Sequence, residues 1–289
     1  MNKLICPVCA CPLKRTKNQK SLQCENRHLF DLARQGYVNL LLSHQKKSKH
    51  PGDNTEMVAA RTEFLNRGYY SDIAQSMSAL AVGLLQPQQT LPRLHYCDIG
   101  CGEGYYTEQL HQALIKAGAS SNTHLTTSGV DISSAAIKAA SKRNKDIQWL
   151  IASAAHLPMA SASQDLVSCL FFHLNGSEAA RILKPGAPLI TVTAGPKHLI
   201  ELRELLYDSI KPETGPESLL NVQQLAHIET QSLLKPFTLS TSEDITQLFT
   251  MTPHYWRTKP EKKRQLSSIK RLELTLDIRI HLYQRTESA

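Results

Sequence analysis

Long apolar runs are missing from this 289-residue chain: no window approaches the roughly 18 apolar residues of a membrane span. A membrane partner is therefore not expected. A secretory leader is not expected either, because Met1-Asn-Lys-Leu-Ile-Cys-Pro7 runs straight into a cysteine motif. Internal repeats and low-complexity segments are absent. An even cysteine count is also lacking: there are seven, four of them within the first 24 residues. That clustering excludes a disulfide framework as the simple explanation and points to metal in a cytoplasmic chain. Acidic residues are the minority charge, 25 against 33 basic ones, giving a net charge of +8 and a pI near 9.1. A polyanionic partner follows from that balance, although charge says nothing about fold. At 41% hydrophobic the chain can bury a full core, in one large domain plus a small one or in two medium domains.

What is present centres on residues 94–107, Leu-His-Tyr-Cys-Asp-Ile-Gly-Cys-Gly-Glu-Gly-Tyr-Tyr-Thr. A short apolar run ends at Asp98, glycines follow at 100, 102 and 104, and a helix-compatible stretch begins. Strand, glycine turn and helix bring backbone close to a cofactor at the end of the first strand of a doubly wound sheet. A dinucleotide fingerprint requires G-x-G-x-x-G, but here the third glycine comes one residue early and Tyr105 stands where the last should be. The pattern D-x-G-x-G-x-G instead resembles motif I of the Rossmann-like S-adenosylmethionine methyltransferases. An ordinary tight turn would explain the glycines, but not Asp98 and Asp131 at two successive strand ends.

Residues 1–35 read as a separate metal module. Cys6, Cys9, Cys24 and His28 have the spacing C-x2-C-x14-C-x3-H, a Cys₃His set suited to tetrahedral Zn²⁺. With all four positions taken by protein, the site is expected to be structural. Cys11 is the spare, too close to Cys9 to complete a knuckle with it. Lys14 and Arg15 between the halves, and the cluster Lys46, Lys47, Lys49 and His50 further on, are candidate RNA-phosphate contacts. A solvated loop is the alternative. No aromatics are interleaved, so base stacking is not expected there.

Residues 36–92 are expected to hold a short strand, the basic loop and a helical connector. Asp53 and Asn54 are placed to cap the first helix, which Gly68 ends, and a second helix covers 71–85. Residues 86–92 have linker composition. From 93 to 289 strands and helices alternate: helix 104–117, strand to Asp131, helix 134–143 capped by Ser133, strand 147–152, strand 165–172, helix 177–183, strand 188–193, then a helix to about 210. Alternating Leu/Ile and charge at 272–283 marks an antiparallel edge strand.

Taken together the chain resembles the bacterial 23S rRNA (guanine-N1)-methyltransferases of the RlmA type. The matching segments are Cys6-Pro-Val-Cys9, Cys24 to Asp31, Gly36-Tyr-Val-Asn-Leu-Leu41, Pro51-Gly-Asp53, Met57 to Leu65, Asp98 to Thr107, Asp131 to Ala140, Gly195-Pro-Lys-His-Leu199, Met251-Thr-Pro253 and His281 to Arg285. The resemblance implies an α/β fold: a class I methyltransferase domain with a seven-stranded, mostly parallel sheet and a small N-terminal zinc-ribbon-like domain. It implies S-adenosylmethionine and structural Zn²⁺ as cofactors, a 23S rRNA hairpin as substrate, and a cytoplasmic homodimer. Cofactor contacts are expected from Tyr70, Asp98, Gly100, Gly102, Glu103, Gly104, Tyr106, Thr107, Asp131, Ile132, Ser153 and Ala154. Core packing competes with that role at Tyr70, and helix packing at Tyr106 and Thr107. Ser153 stands where related enzymes carry an acid toward adenine. The segment Phe171-Phe-His-Leu-Asn-Gly176 departs from the Ala-Pro segment usual beside the methyl-transfer site.

Methylating guanine N1 requires an accessible base, an in-line approach and an acceptor for the N1 proton. His173 and His198, after the fourth and fifth strands, are the candidates for that acceptor. Two other functions fit the same sequence: a small-molecule methyltransferase, which the +8 charge disfavours, and a zinc-stabilised RNA-binding factor with an inactive cofactor site.

Overall fold

The computed structural model describes residues 3–46, 48, 51–85, 93–118, 124–209 and 222–287. The linker at 86–92 and Lys47, Lys49 and His50 of the basic cluster lie outside the described residues.

The N-terminal module is a three-stranded antiparallel sheet of β1 (Lys14–Arg15), β2 (Ser21–Gln23) and β3 (Leu29–Asp31). Strands this short cannot bury a core alone, and Leu4, Leu13 and Leu22 join Leu150, Leu157 and Met159 of the larger domain in one buried cluster. Burial of each such leucine contributes about 1.5–3 kcal/mol. A bridge between Leu4 and Met159 and the bonds Ile5 N–H to Pro158 O and Ala160 N–H to Lys3 O, both near 3 Å, stitch the seam.

The larger domain is built on an eight-stranded sheet. Its strands are β4 (Val38–Asn39), β5 (Arg93–Ile99), β6 (His124–Asp131), β7 (Gln148–Ile151), β8 (Leu166–Leu170), β9 (Pro188–Ala194), β10 (Leu225–Leu239) and β11 (Leu272–Arg285). The order is β10-β11-β9-β8-β5-β6-β7-β4, parallel except where β11 pairs antiparallel with β9 and β10. The chain winds from β5 outward to β7, then returns to place β8 on the other side of β5. At that reversal the loops after β5 and β8 part and leave a crevice, the usual ligand position in such sheets. The expected seven strands gain an eighth: Val38–Asn39 pairs in parallel with β7 through Leu150 and Ile151, so part of the expected connector is an edge of the sheet.

Helices cover both faces: α1 (Thr55–Asn66), α2 (Ser71–Leu85), α3 (Tyr105–Gly118), α4 (Ser134–Arg143), α5 (Gly176–Ile182) and α6 (Ile200–Leu206). Asn54, not Asp53, caps α1 by accepting the Met57 N–H at 2.9 Å, an interaction worth about 1 kcal/mol. Gly68, at φ +84°, turns the chain out of that helix. Ser133 caps α4 by accepting from Ala136 N–H. The helix after the fifth strand stops at Leu206, short of 210. Before the last strand come α7 (Ser242–Thr250), α8 (His254–Arg257) and α9 (Pro260–Ser268). No helix among the described residues is long and apolar enough to cross a membrane.

Candidate active site and metal centre

The glycine loop is held from behind by the second strand: Gly100 and Cys101 N–H both donate to Val130 O, at 2.8 and 3.0 Å. Gly100 and Gly102 have φ of +72° and +56°, where a side chain is strained. Their faces differ: a Cβ on Gly100 would meet the Phe172 ring at 2.9 Å, so Phe172 covers it, whereas one on Gly102 would lie 3.6 Å from Arg61 Nη1 with nothing nearer. Gly104 serves a different purpose. Its Cβ position points at Trp149 Cη2, 2.6 Å away, and at Ala140, so that glycine admits the indole of β7 rather than a ligand.

Three acids surround the loop. Asp98 is fully buried and accepts from Thr107 Oγ1 at 2.5 Å and Ser168 Oγ at 2.6 Å. Burial lifts its carboxyl to about 6, against the pull of those two hydroxyls. Asp131 accepts from Gly102 N–H at 3.0 Å and Ser133 N–H at 2.7 Å, which fixes it at the lip of the loop. Burial raises its carboxyl and the two N–H groups oppose the rise. Glu103 turns away, its oxygens bonded to Arg143 and to the Tyr105 N–H. Thr107 spends its hydroxyl on Asp98, and Ser153 Oγ accepts the Ala155 N–H in a turn. Ala154 is half-buried beside it.

An aromatic corner closes the far side of the crevice. Tyr70 is buried, with its hydroxyl 3.4 Å from His198 Nε2. Phe171 lies near-parallel to His198, at 19° and 6.4 Å between centroids, and Tyr106 lies 6.2 Å from Phe171. His198 is carried by the turn Gly195-Pro196-Lys197-His198, which Asp277 on β11 organises: its carboxylate accepts from Lys197 N–H at 2.9 Å and its carbonyl from Gly195 N–H at 2.7 Å. Burial lowers the His198 imidazole to about 4, so the ring is neutral at pH 7. Two polar atoms here are buried without a partner, His198 Nδ1 and Tyr106 Oη. Such orphans cost about 1–3 kcal/mol each unless a water or a ligand group supplies the missing bond. His173 is exposed on the loop after β8 and is not brought against His198.

Sequence reasoning did not single out Arg61 or Asp277. Arg61 pairs with Asp53, donates to Met251 O at 3.0 Å and lies over Gly102. Its signal was position in the matching segment 57–65; Asp277, 79 residues beyond His198 in the chain, gave none. Beside Asp131 a cavity of about 400 Å³ is lined by Ile132, Ser133, Ile151, Leu41, Gly52 and Lys46 among others.

The metal donors converge. Cys6, Cys9, Cys24 and His28 offer ligand atoms all within 4.8 Å of one another. Cys24 Sγ lies 3.4 Å from His28 Nδ1, and Cys9 Sγ 3.7 Å from Cys24 Sγ. A soft Cys₃His set of that size fits Zn²⁺. Cys11 stands apart, donating to Cys9 O and accepting from Asn26 Nδ2. Of the candidate RNA contacts, Lys14, Arg15 and Lys46 are exposed.

Comparison with known proteins decides the family. The profile "RlmA, N-terminal", a zinc ribbon, matches residues 4–49, and "Methyltransferase domain" matches 97–186. A Micromonospora griseorubida protein named "Putative 23S rRNA (guanine-N(1)-)-methyltransferase" is 30% identical over 90% of this chain and 88% of its own. The chain belongs to the RlmA family of methyltransferases. The 23S rRNA (guanine(748)-N(1))-methyltransferase of Streptomyces fradiae is 29% identical over 95% of this chain and 94% of its own. A Bacillus subtilis (strain 168) relative with a name of the same kind matches equally, at 29% over 95% and 94%. As an RlmA-type enzyme the chain uses S-adenosylmethionine and a structural zinc, and the acids, glycines and orphaned polar atoms of the crevice suit that donor.

Proposed function

We propose that this chain transfers the methyl group of S-adenosylmethionine to N1 of an unpaired guanine in a hairpin of 23S rRNA. The observation that carries the reading is the pair of neighbouring strands tipped by Asp98 and Asp131 around a glycine loop. They stand in a chain aligned nearly end to end with guanine-N1 methyltransferases.

When bound, the donor supplies a methyl group on a sulfonium sulfur; the C–S bond breaks as the N1–C bond forms, leaving a neutral thioether. The residues of this chain position and neutralise. Asp131 at the lip holds the ribose hydroxyls, with Ile132 and the cavity beside it for adenine, bordered by Ser153 and Ala154 after β7. Asp98 places negative charge under the cationic end, in a dry site where it counts for more than in water. The donor's carboxylate needs a cation. Arg61, whose Nη1 is the nearest group to the face of Gly102, takes that role while keeping its bonds to Asp53 and Met251 O; Arg143 is held by Glu103 and Glu108. Gly104, Thr107 and Glu103 shape the loop from behind. His198, neutral and with Nδ1 unpartnered, orients the base by a hydrogen bond; Tyr70 holds the ring and Tyr106 offers its hydroxyl beside it. His173 at the rim accepts the N1 proton and passes it to solvent.

Lys14, Arg15, Lys46, Lys47 and Lys49 contact RNA phosphates. We place the enzyme in the cytoplasm as a homodimer; the 15-residue strand β10, which ends the sheet with Ile228 and Leu234 exposed, supports a self-association face. Sedimentation at micromolar concentration checks it.

The test is labelled methyl transfer into 23S rRNA lacking the modification, read by primer extension. A stop at one guanine is expected, with His173→Gln lowering kcat about 10²-fold. Labelling without a stop would reject N1 as the acceptor.

A further inference from the structure

The loop after β8 is built unlike the rest of the crevice. Phe171 and Phe172 are adjacent and 44% and 45% exposed, although each is large and apolar. Phe171 also has φ +53°, in the left-handed region that a bulky side chain avoids. The conformation is imposed rather than loose: Phe171 N–H still donates to Val192 O of β9 at 2.8 Å, so the backbone leaves the sheet only after that bond is made. The left-handed turn takes the side chain out of the strand's alternation and sets it beside His198 and Tyr106. Phe172 lies across Gly100, its Cγ 2.9 Å from where a Cβ would stand. Strain of this kind persists where the surrounding structure over-determines it, and it clusters at ligand sites.

We propose that Phe171 is the surface on which this enzyme stacks the base to be methylated, with Phe172 walling the donor side of the same slot at Gly100. The proposal rests on the rRNA guanine reading above. A flat base fits the place better than an aliphatic or peptide ligand for two reasons. An exposed ring held near-parallel to an imidazole offers an extended π-face, and aromatic stacking is how proteins seat unpaired bases. The two orphaned atoms that neighbour Phe171, His198 Nδ1 and Tyr106 Oη, supply polar partners for a base edge that carries both a donor and an acceptor, as the N2 amino group and O6 that flank N1 of guanine do. The lysine clusters lack aromatics altogether, so they do not supply the stacking contact.

The experiment compares wild type with Phe171→Leu and Phe171→Tyr on transcribed 23S rRNA and on a synthetic hairpin carrying 2-aminopurine at the mapped guanine. Calorimetry with S-adenosylhomocysteine serves as the fold and donor-site control. For Phe171→Leu, kcat/KM on RNA falls about 5- to 150-fold, the range of one lost stacking contact. S-adenosylhomocysteine affinity stays within about twofold and 2-aminopurine emission in the complex rises. Phe171→Tyr restores both RNA readouts. An unchanged kcat/KM for Phe171→Leu, or lost S-adenosylhomocysteine binding, overturns the proposal while wild-type labelling leaves the guanine reading standing. Wild type that leaves rRNA unlabelled overturns both.

Discussion

Trp149 sits between two glycines of the site, and adding one carbon there should have a calculable effect. Its ring is fully buried, and Nε1 donates to Asn144 O at 2.7 Å, so the indole cannot rotate freely. A Cβ on Gly129 would stand 2.5 Å from Cε3 of the indole and 3.1 Å from Cys101 Sγ. Retreat is limited, because the neighbouring atoms of the same benzo edge, Cζ3 and Cη2, already lie against Gly104. Gly129→Ala therefore overpacks, at about 1–3 kcal/mol, offset by about 0.4–1 kcal/mol from a less flexible unfolded chain. The net expectation is about 1–2 kcal/mol of destabilisation in urea melts. Asp131 is two residues downstream, and its bond to Gly102 N–H at 3.0 Å depends on the strand's position. Calorimetry should accordingly show S-adenosylhomocysteine affinity falling several-fold. The decisive arm is the double variant Gly129→Ala with Trp149→Phe, which removes the benzo edge the new methyl meets. The pair should cost at least about 1 kcal/mol less than the sum of the singles. Additive costs would refute the claim that the indole occupies the face the glycine leaves open.

Asp98, lifted to about 6 by burial, should couple donor binding to pH. Because its folded value lies above the unfolded 3.8, its stability contribution is full below 3.8 and lost as pH rises through 6, while affinity for a cationic donor runs the other way. S-adenosylmethionine Kd should weaken roughly tenfold from pH 7 to pH 5, and Asp98→Asn should flatten the curve; a flat wild-type curve counts against the charge role. Metal analysis should find one zinc per chain in wild type and Cys11→Ser and none in Cys24→Ser; zinc lost from Cys11→Ser would redraw the ligand set. Arg61→Gln should erase the wild type's preference for S-adenosylhomocysteine over its decarboxylated analogue, measured by calorimetry. A preserved preference would mean that Arg61 only ties Asp53 to Met251.

How much of this was legible in the sequence depends on how far each signal reaches along the chain. Local signals read well. The glycine turn between β5 and α3, the caps at Asn54 and Ser133, and the Cys₃His spacing each lie within a few residues or a fixed interval, and each sits where its pattern placed it. The alternation at 272–283 read as a strand because β11 buries one face. Its partner β10 did not, because Leu225–Leu239 is mostly exposed and so carries no period-2 contrast. Val38–Asn39 reads as a short strand, but two residues cannot announce which sheet they join. The roles least legible are those set by contacts between distant segments. Gly104 belongs to the loop motif yet answers to Trp149. Arg61 reaches the loop from α1, and Asp277 shapes the turn of His198 from the last strand. His198 shows why this matters chemically. The sequence places a histidine after the fifth strand, which suits a general base. Burial among neighbours that include Tyr70, from the turn just before α2, and Phe171, a left-handed residue, holds its imidazole near 4 and turns it from a proton acceptor into an orienting group.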